Sequence, residues 1–205
     1  MSDKKIISLT FDDGPNLKIT DQILDILEEY GARASFFLVG DHITPETEYL
    51  VHREVAMGCS IENHSKTHSY MTTLSDEEII SEIKYTSDKI EELTGERPKF
   101  FRPPYIDVDD RMYDLIDELT FISGFGSMDW IAEVNAKERA ENILAAAKDG
   151  AIILVHDFVD NYNTAEAIKI VIPRLISEGY EFVTVREIFE AKDKAIDHSI
   201  MYSEF

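Results

Sequence analysis

The sequence predicts an α/β domain in which parallel strands alternate with helices. Two observations carry this reading. Short β-rich apolar runs and amphipathic helical runs alternate through seven units. No low-complexity tract, Pro/Gly-rich linker or short-period repeat interrupts them. The length, 205 residues, suits one domain able to bury a core without disulfide or metal staples. An open doubly wound sheet and a closed or nearly closed barrel both satisfy the pattern. Both put chemistry at the C-terminal ends of the strands.

A strand run over 5–10 leads into a helix over 20–30 that ends at Gly31. The run over 34–39 precedes a helix over 45–57, with Thr44 as its expected N-cap and Pro45 in its first turn. After the strand over 59–63 comes the clearest helix, 76–93. Ser75 and Glu78 make a capping box, Ile79, Ile83, Thr86, Ile90 and Leu93 trace one face, and Gly95 closes it. Four more units follow: strand 99–102 with helix 109–119, 121–125 with 137–148, 151–156 with 164–178, and 181–184 with 186–191. Gly150 and Gly179 punctuate helix ends. The expectation is one domain over 1–205, with a core over 5–191 and a patternless C-terminal tail over 192–205.

Charge narrows the partners. Lys plus Arg is 20 and Asp plus Glu is 41, a net charge of −21. A nucleic-acid binder carries a basic patch, and an anionic membrane or polyanionic substrate would be repelled, so neither is expected. Apolar residues at 44% and aromatics at 10% are ordinary globular composition. The single cysteine, Cys59, excludes an intramolecular disulfide and a cysteine-rich zinc site. No apolar run approaches the roughly 18 residues of a membrane span. Ile6 to Leu9 is too short for a signal-peptide apolar region. The expectation is a cytoplasmic protein, or a secreted one whose leader has been removed. Oligomeric state is not legible.

The strand ends hold the chemistry. The first ends in Thr10-Phe11-Asp12-Asp13-Gly14-Pro15; Asp-Gly-Pro alone is common turn chemistry, but two acids straight after an apolar strand are not. The third ends in His64-Ser65-Lys66-Thr67-His68, two imidazoles spaced to meet one metal ion. Ser65 stands where a zincin-type protease needs Glu. His42, His52 and His198 read as ordinary. The fourth ends in Arg102-Pro103-Pro104-Tyr105, an arginine whose direction two prolines fix. Asp129-Trp130 follows the fifth, and the sixth delivers His156. Each element alone has an ordinary explanation: a turn, a surface histidine, a solvated arginine, a half-buried tryptophan. Randomly placed histidines and acids would scatter over helices and both ends; these gather at one edge. They fit a metal-dependent hydrolytic site, with one carboxylate and two histidines as ligands, a second carboxylate as base and a separate histidine as acid.

In order and spacing, these segments resemble the polysaccharide deacetylases of carbohydrate esterase family four, the NodB homology domain. The five motifs are Thr10 to Pro15, His64 to His68, Arg102 to Tyr105, Asp129-Trp130 and Leu154-Val155-His156. Gly31 to Phe37 is also similar, and the likeness runs from about Lys5 to about Ala191. The resemblance implies a distorted (β/α)7-type barrel. It implies that Asp13, His64 and His68 bind one divalent metal, most often zinc, with cobalt or nickel active in some members. Asp12 would be the base for the attacking water, Arg102 its partner, and the Tyr105 N–H an oxyanion donor. His156 would protonate the leaving group, oriented by Asp129. Trp130 and Leu154 would line the acetyl-methyl slot. Departures are Ile106, where many members have Gly; Gly126, Ser127 and Met128, where an earlier acid is common; and Cys59 and Glu62 ahead of the metal histidines.

The substrate the resemblance implies is an acetylated carbohydrate. The stretches 128–140 and 173–182 look more like the acetylxylan esterase branch, which favours O-acetylated xylan. The alternative is an N-deacetylase of N-acetylglucosamine glycans, chitin oligomers or peptidoglycan. The charge of −21 suits a neutral glycan. Tyr70, Tyr105, Phe158 and Tyr162 are candidates to stack on sugar rings. Two readings of other classes compete with these. A facial-triad iron oxygenase shares the two-histidine, one-carboxylate set but uses a β-sandwich. A non-catalytic carbohydrate-binding relative should have lost a ligand or the base, and all are present here.

Overall fold

A computed structural model of the chain describes residues 4–193 and 195–205. The elements run β1 (Lys5–Asp12), α1 (Ile19–Tyr30), β2 (Ala34–Leu38), α2 (Glu48–Ala56), β3 (Ser60–Asn63), α3 (Asp76–Thr94), β4 (Phe100–Phe101), α4 (Asp110–Leu115), β5 (Thr120–Ile122), β6 (Phe125–Gly126), α5 (Ala136–Ala146), β7 (Ala151–His156), α6 (Tyr162–Ser177), β8 (Tyr180–Phe182), α7 (Val185–Lys192) and β9 (Met201–Tyr202). All strand pairs are parallel, in the order β6-β7-β1-β2-β3-β4-β5-β9, with β8 also on β1. Among the described residues, no helix is long and apolar enough to cross a membrane.

The expected strand over 121–125 is two pieces. β5 pairs with β4, while β6 pairs with β7 at the far end of the sheet. One bent strand therefore bridges both ends and curls the sheet into a distorted barrel. The bend needs Gly124, because a Cβ there would stand 3.0 Å from the Ile152 carbonyl oxygen. β3 and β4 share only one register pair, Asn63 with Phe101. Where they part, the buried Glu62 carboxylate accepts the N–H groups of Lys99 and Phe100 at 2.9 and 3.0 Å. Arg186 of α7 holds its other oxygen at 2.7 Å.

Strand periodicity of two sorts the core into layers. Ile7, Leu9 and Phe11 of β1 join Ile153 and Val155 of β7 beneath α1 and α6. The alternate set, Phe37, Phe100, Ile122 and Ile152, packs with Val185, Ile188 and Phe189 of α7. That second cluster fills the barrel from its N-terminal end. Further along the same strand faces the residues turn polar, at Thr10, Asp12, Arg102 and His156.

Several local expectations changed. α2 begins at Glu48, not Pro45, because the Thr47 hydroxyl takes the Thr44 N–H at 2.8 Å and donates to the His42 carbonyl at 2.7 Å. α4 stops at Leu115, where Ile116 leaves helical geometry. Gly150 turns the chain into β7 with φ +83° and does not end a helix. The Ser75–Glu78 capping box is present, as are unexpected ones at Asn135–Glu138 and Thr184–Glu187. The final residues, expected as a tail, return to the core. β9 pairs with β5, Glu204 bridges Ala151 of β7, and the Phe205 ring lies 4.1 Å from that of Phe189.

Candidate active site

Adjacent residues of a strand point to opposite faces, so Asp12 and Asp13 should diverge. They converge because Asp13 leaves β1 at φ +78°, in the left-handed region. Two bonds hold this turn: Val39 N–H donates to the Gly14 carbonyl at 3.0 Å, and His42 Nδ1 donates to the Asp13 carbonyl at 2.7 Å. Asp12 is buried, with Oδ1 at 2.6 Å from an Arg102 guanidinium nitrogen.

The histidine loop is built the same way. The Asn63 side chain donates to the Ile83 carbonyl and the Ser87 hydroxyl of α3, both at 2.9 Å, and accepts the Ser65 N–H at 2.8 Å. Ser65 and His68 are both left-handed, at φ +63° and +60°. Glu82 of α3 takes the N–H groups of Lys66 and Thr67. His64 donates Nδ1–H to the Arg102 carbonyl at 2.7 Å, which turns its Nε2 toward Asp13. Asp13 Oδ1 lies 3.4 Å from His64 Nε2 and 3.1 Å from His68 Nε2.

These distances are close to the edge of a tetrahedron with bonds of about 2.1 Å, roughly 3.4 Å. Asp13 Oδ1 is buried and has no hydrogen-bond partner of good geometry among the described residues. Burial penalises its charge, but the two imidazoles outweigh that and hold the carboxyl well below the usual carboxylate range. A buried, charged, unsatisfied oxygen facing two imidazole nitrogens fits a divalent cation.

Arg102 is fully buried, its plane over the Phe37 ring at 4.2 Å, and its second amino group donates to Ser123 at the strand bend at 2.7 Å. On the opposite wall Asp129 accepts the His156 backbone N–H at 2.7 Å and lies 2.9 Å from its Nδ1. Burial opposes ionisation of Asp129, but the His156 and Thr164 bonds outweigh it and keep its carboxyl low. Burial also opposes charge on His156, yet Asp129 lifts it to about 9.

All ten residues singled out above surround or back one cavity of about 480 Å³. Asp12, Asp13, His64, His68, Tyr105, Trp130, Leu154 and His156 line it; Arg102 and Asp129 stand behind. Gly126 admits the Trp130 ring, which a Cβ would meet at 2.9 Å. Tyr70 stacks on Tyr105 with centroids 4.0 Å apart at the rim, and Phe158 lines the cavity. Tyr162 opens α6 and does not line it.

Four partners escaped the sequence reading. His42 holds the Asp13 carbonyl. Thr164 and Asn161 bond Asp129 at 2.9 and 3.3 Å, and the buried Arg139 donates to Thr164 at 2.9 Å, so a chain runs Arg139–Thr164–Asp129–His156. For Thr164 and Asn161 a signal was present, since both fall within eight residues after His156. Arg139 lies on another helix and left none. Asp157, next to His156, is buried against the Asp13 turn; burial first, then the charges of Asp13 and Asp12, push its carboxyl up to about 7 despite the Thr20 hydroxyl bonded to it.

The family profile of polysaccharide deacetylases matches residues 1–122. A bifunctional xylanase/deacetylase of Pseudobutyrivibrio xylanivorans is 46% identical over 92% of this chain, which spans 31% of that relative's length. A peptidoglycan-N-acetylglucosamine deacetylase of Bacillus cereus is 34% identical over 93% of this chain and 91% of its own length. The structure of a family 4 acetyl xylan esterase from Clostridium thermocellum, in complex with a cobalt ion, superposes with a TM-score of 0.94. The two are 38% identical, and 98% of each chain is covered.

Proposed function

The chain belongs to the polysaccharide deacetylase family, and from that premise we propose that it is a metal-dependent hydrolase that removes O-acetyl groups from xylan. The observation that carries the chemistry is the meeting of Asp13, His64 and His68 beside a second acid, Asp12, and opposite His156, which Asp129 holds. The whole chain is read as one catalytic domain. When bound by Asp13, His64 and His68, the metal, proposed to be zinc, supplies Lewis-acid polarisation of the acetyl carbonyl and of the attacking water.

Asp12 accepts the proton of that water. Arg102 holds Asp12 in place through its 2.6 Å bond. The Tyr105 backbone N–H donates to the oxyanion as the carbonyl becomes tetrahedral. His156 gives its proton to the leaving sugar oxygen, and Asp129 fixes the ring and its charge. Trp130 and Leu154 flank the acetyl methyl. The balanced outcome is a free hydroxyl and acetic acid from one ester and one water.

O-acetyl xylan is favoured over N-acetyl glycans by the 46% identity to a xylanase/deacetylase and by the fit to an acetyl xylan esterase across nearly the whole chain. The peptidoglycan deacetylase relative supports the amide reading. Acetate release by metal-stripped and then zinc- or cobalt-loaded protein decides between them, with acetylated xylan and N-acetylglucosamine oligomers side by side. Metal-dependent release from xylan alone is the expected result. Release from the amide alone moves the substrate to the other branch. Glycan binding without turnover by metal-loaded protein would leave only the non-catalytic reading.

A further inference from the structure

We propose that Asp157 is a positioning residue for the metal ligand Asp13, acting through the turn at residues 12–16. This rests on the reading of Asp13 as a ligand. Asp157 follows the residue that faces the cavity, so its side chain leaves β7 on the other side and does not line the cavity. It lies behind the turn and is fully buried.

Three contacts tie it there. Its backbone N–H donates to the Asp12 carbonyl at 3.0 Å. Its carboxylate accepts the hydroxyl of Thr20 in α1, whose oxygen accepts the Asn16 N–H at 2.8 Å. Its carboxylate also fills the space where residue 14 would carry a side chain: a Cβ on Gly14 would stand 2.4 and 2.8 Å from its two oxygens. The turn therefore rests on Asp157 on one side and is tied to α1 on the other. Such a support matters because Asp13 occupies a backbone region that a non-glycine residue holds only when its surroundings impose it. The hydrogen bonds of Asp157 go to Thr20 and the Asp12 carbonyl, not to the metal-facing atoms, so its effect passes through the turn.

The test is Co²⁺ affinity, measured by chelator competition on the full chain, for wild type, D157A, D157N, T20V, G14A and G14A/D157A. Loss of an outer partner of a metal ligand costs about 10-fold or more in affinity, expected for D157A, while D157N keeps the shape and the acceptor for Thr20 and stays within about 3-fold. T20V, which leaves residue 157 intact, weakens Co²⁺ in the same direction. G14A weakens it too, and the double variant loses less than the product of the single losses, because the alanine methyl enters the space Asp157 vacates. With saturating Co²⁺, kcat of D157A recovers while its Co²⁺ requirement stays raised; a residue in the chemistry itself would not recover. D157A binding Co²⁺ like wild type, D157N as defective as D157A, or fully independent effects in the G14A cycle would overturn the proposal. Unaltered Co²⁺ binding in H68A would instead overturn the ligand reading on which it rests.

Discussion

Asp129 grips His156 twice, through Nδ1 at 2.9 Å and through the backbone N–H at 2.7 Å, so ring and backbone are fixed by one carboxylate. Burial pulls the imidazole down, but Asp129, with the charges of Asp12 and Asp13 behind it, raises it to about 9. A divalent cation at Asp13 opposes that carboxylate's share and lowers the imidazole from this value. An acid works only while protonated. Deacetylation should therefore fall as pH rises past the imidazole's titration, and D129N should move the falling limb toward acid and cut kcat by about 10² or more. The check is kcat against pH for both proteins; a wild-type rate still climbing at the alkaline end would remove His156 from the acid role.

Arg102 and Asp12 form an ion pair with side-chain exposures of 0% and 3%. Removing one member of such a pair leaves a buried charge, typically at a cost of about 3–5 kcal/mol. R102M should lower stability by that order and abolish activity. D12N/R102M, with neither charge, should regain most of the stability and stay inactive. Urea denaturation of the two variants reads this; equal instability in single and double would mean that Arg102 acts through its bond to Ser123 and its stack on Phe37.

Ile106 sits at φ +56°, next to Tyr105 at +59°. A β-branched residue in the left-handed region is strained, and such strain is worth on the order of 1–3 kcal/mol. Glycine relieves it but gives the unfolded chain more freedom, so I106G should gain about 1 kcal/mol. Thermal unfolding measures the gain. A loss of stability would mean that the exposed isoleucine side chain contributes more at the cavity rim than its backbone costs.

The site was legible where chemistry coincides with a strand end. Asp12, Arg102 and His156 each follow an apolar run, and period two sends them to the same interior. The convergence of Asp13 was not legible, because nothing in an aspartate announces φ +78°. The same holds for Ser65, His68 and Met128, all left-handed in loops at this end. The strand over 121–125 reads as one run, and only the tertiary pairing splits it at Gly124. β9 is two residues long and owes its place to the edge of β5, so no local pattern predicts it. Arg139 and His42 act through partners distant in sequence, on atoms that sequence periodicity does not locate.

Glu54 of α2 carries the last prediction. It is fully buried, and neither carboxylate oxygen has a hydrogen-bond partner among the described residues. Burial, then the nearby charge of Asp157, pushes its carboxyl well above the ordinary 4.5. Below about 4.5 both folded and unfolded chains hold the proton and linkage costs nothing. As pH rises above that value the unfolded chain releases its proton while the folded chain does not, and stability falls until the folded value is passed. E54M, similar in shape and without charge, should be more stable than wild type by about 1–3 kcal/mol at any pH from the removed unsatisfied group, and proton linkage should add to this gain by pH 8. The gain should shrink as pH falls toward 4. Denaturation of both proteins across that range measures it, and a gain independent of pH would assign the effect to packing, not to the buried proton.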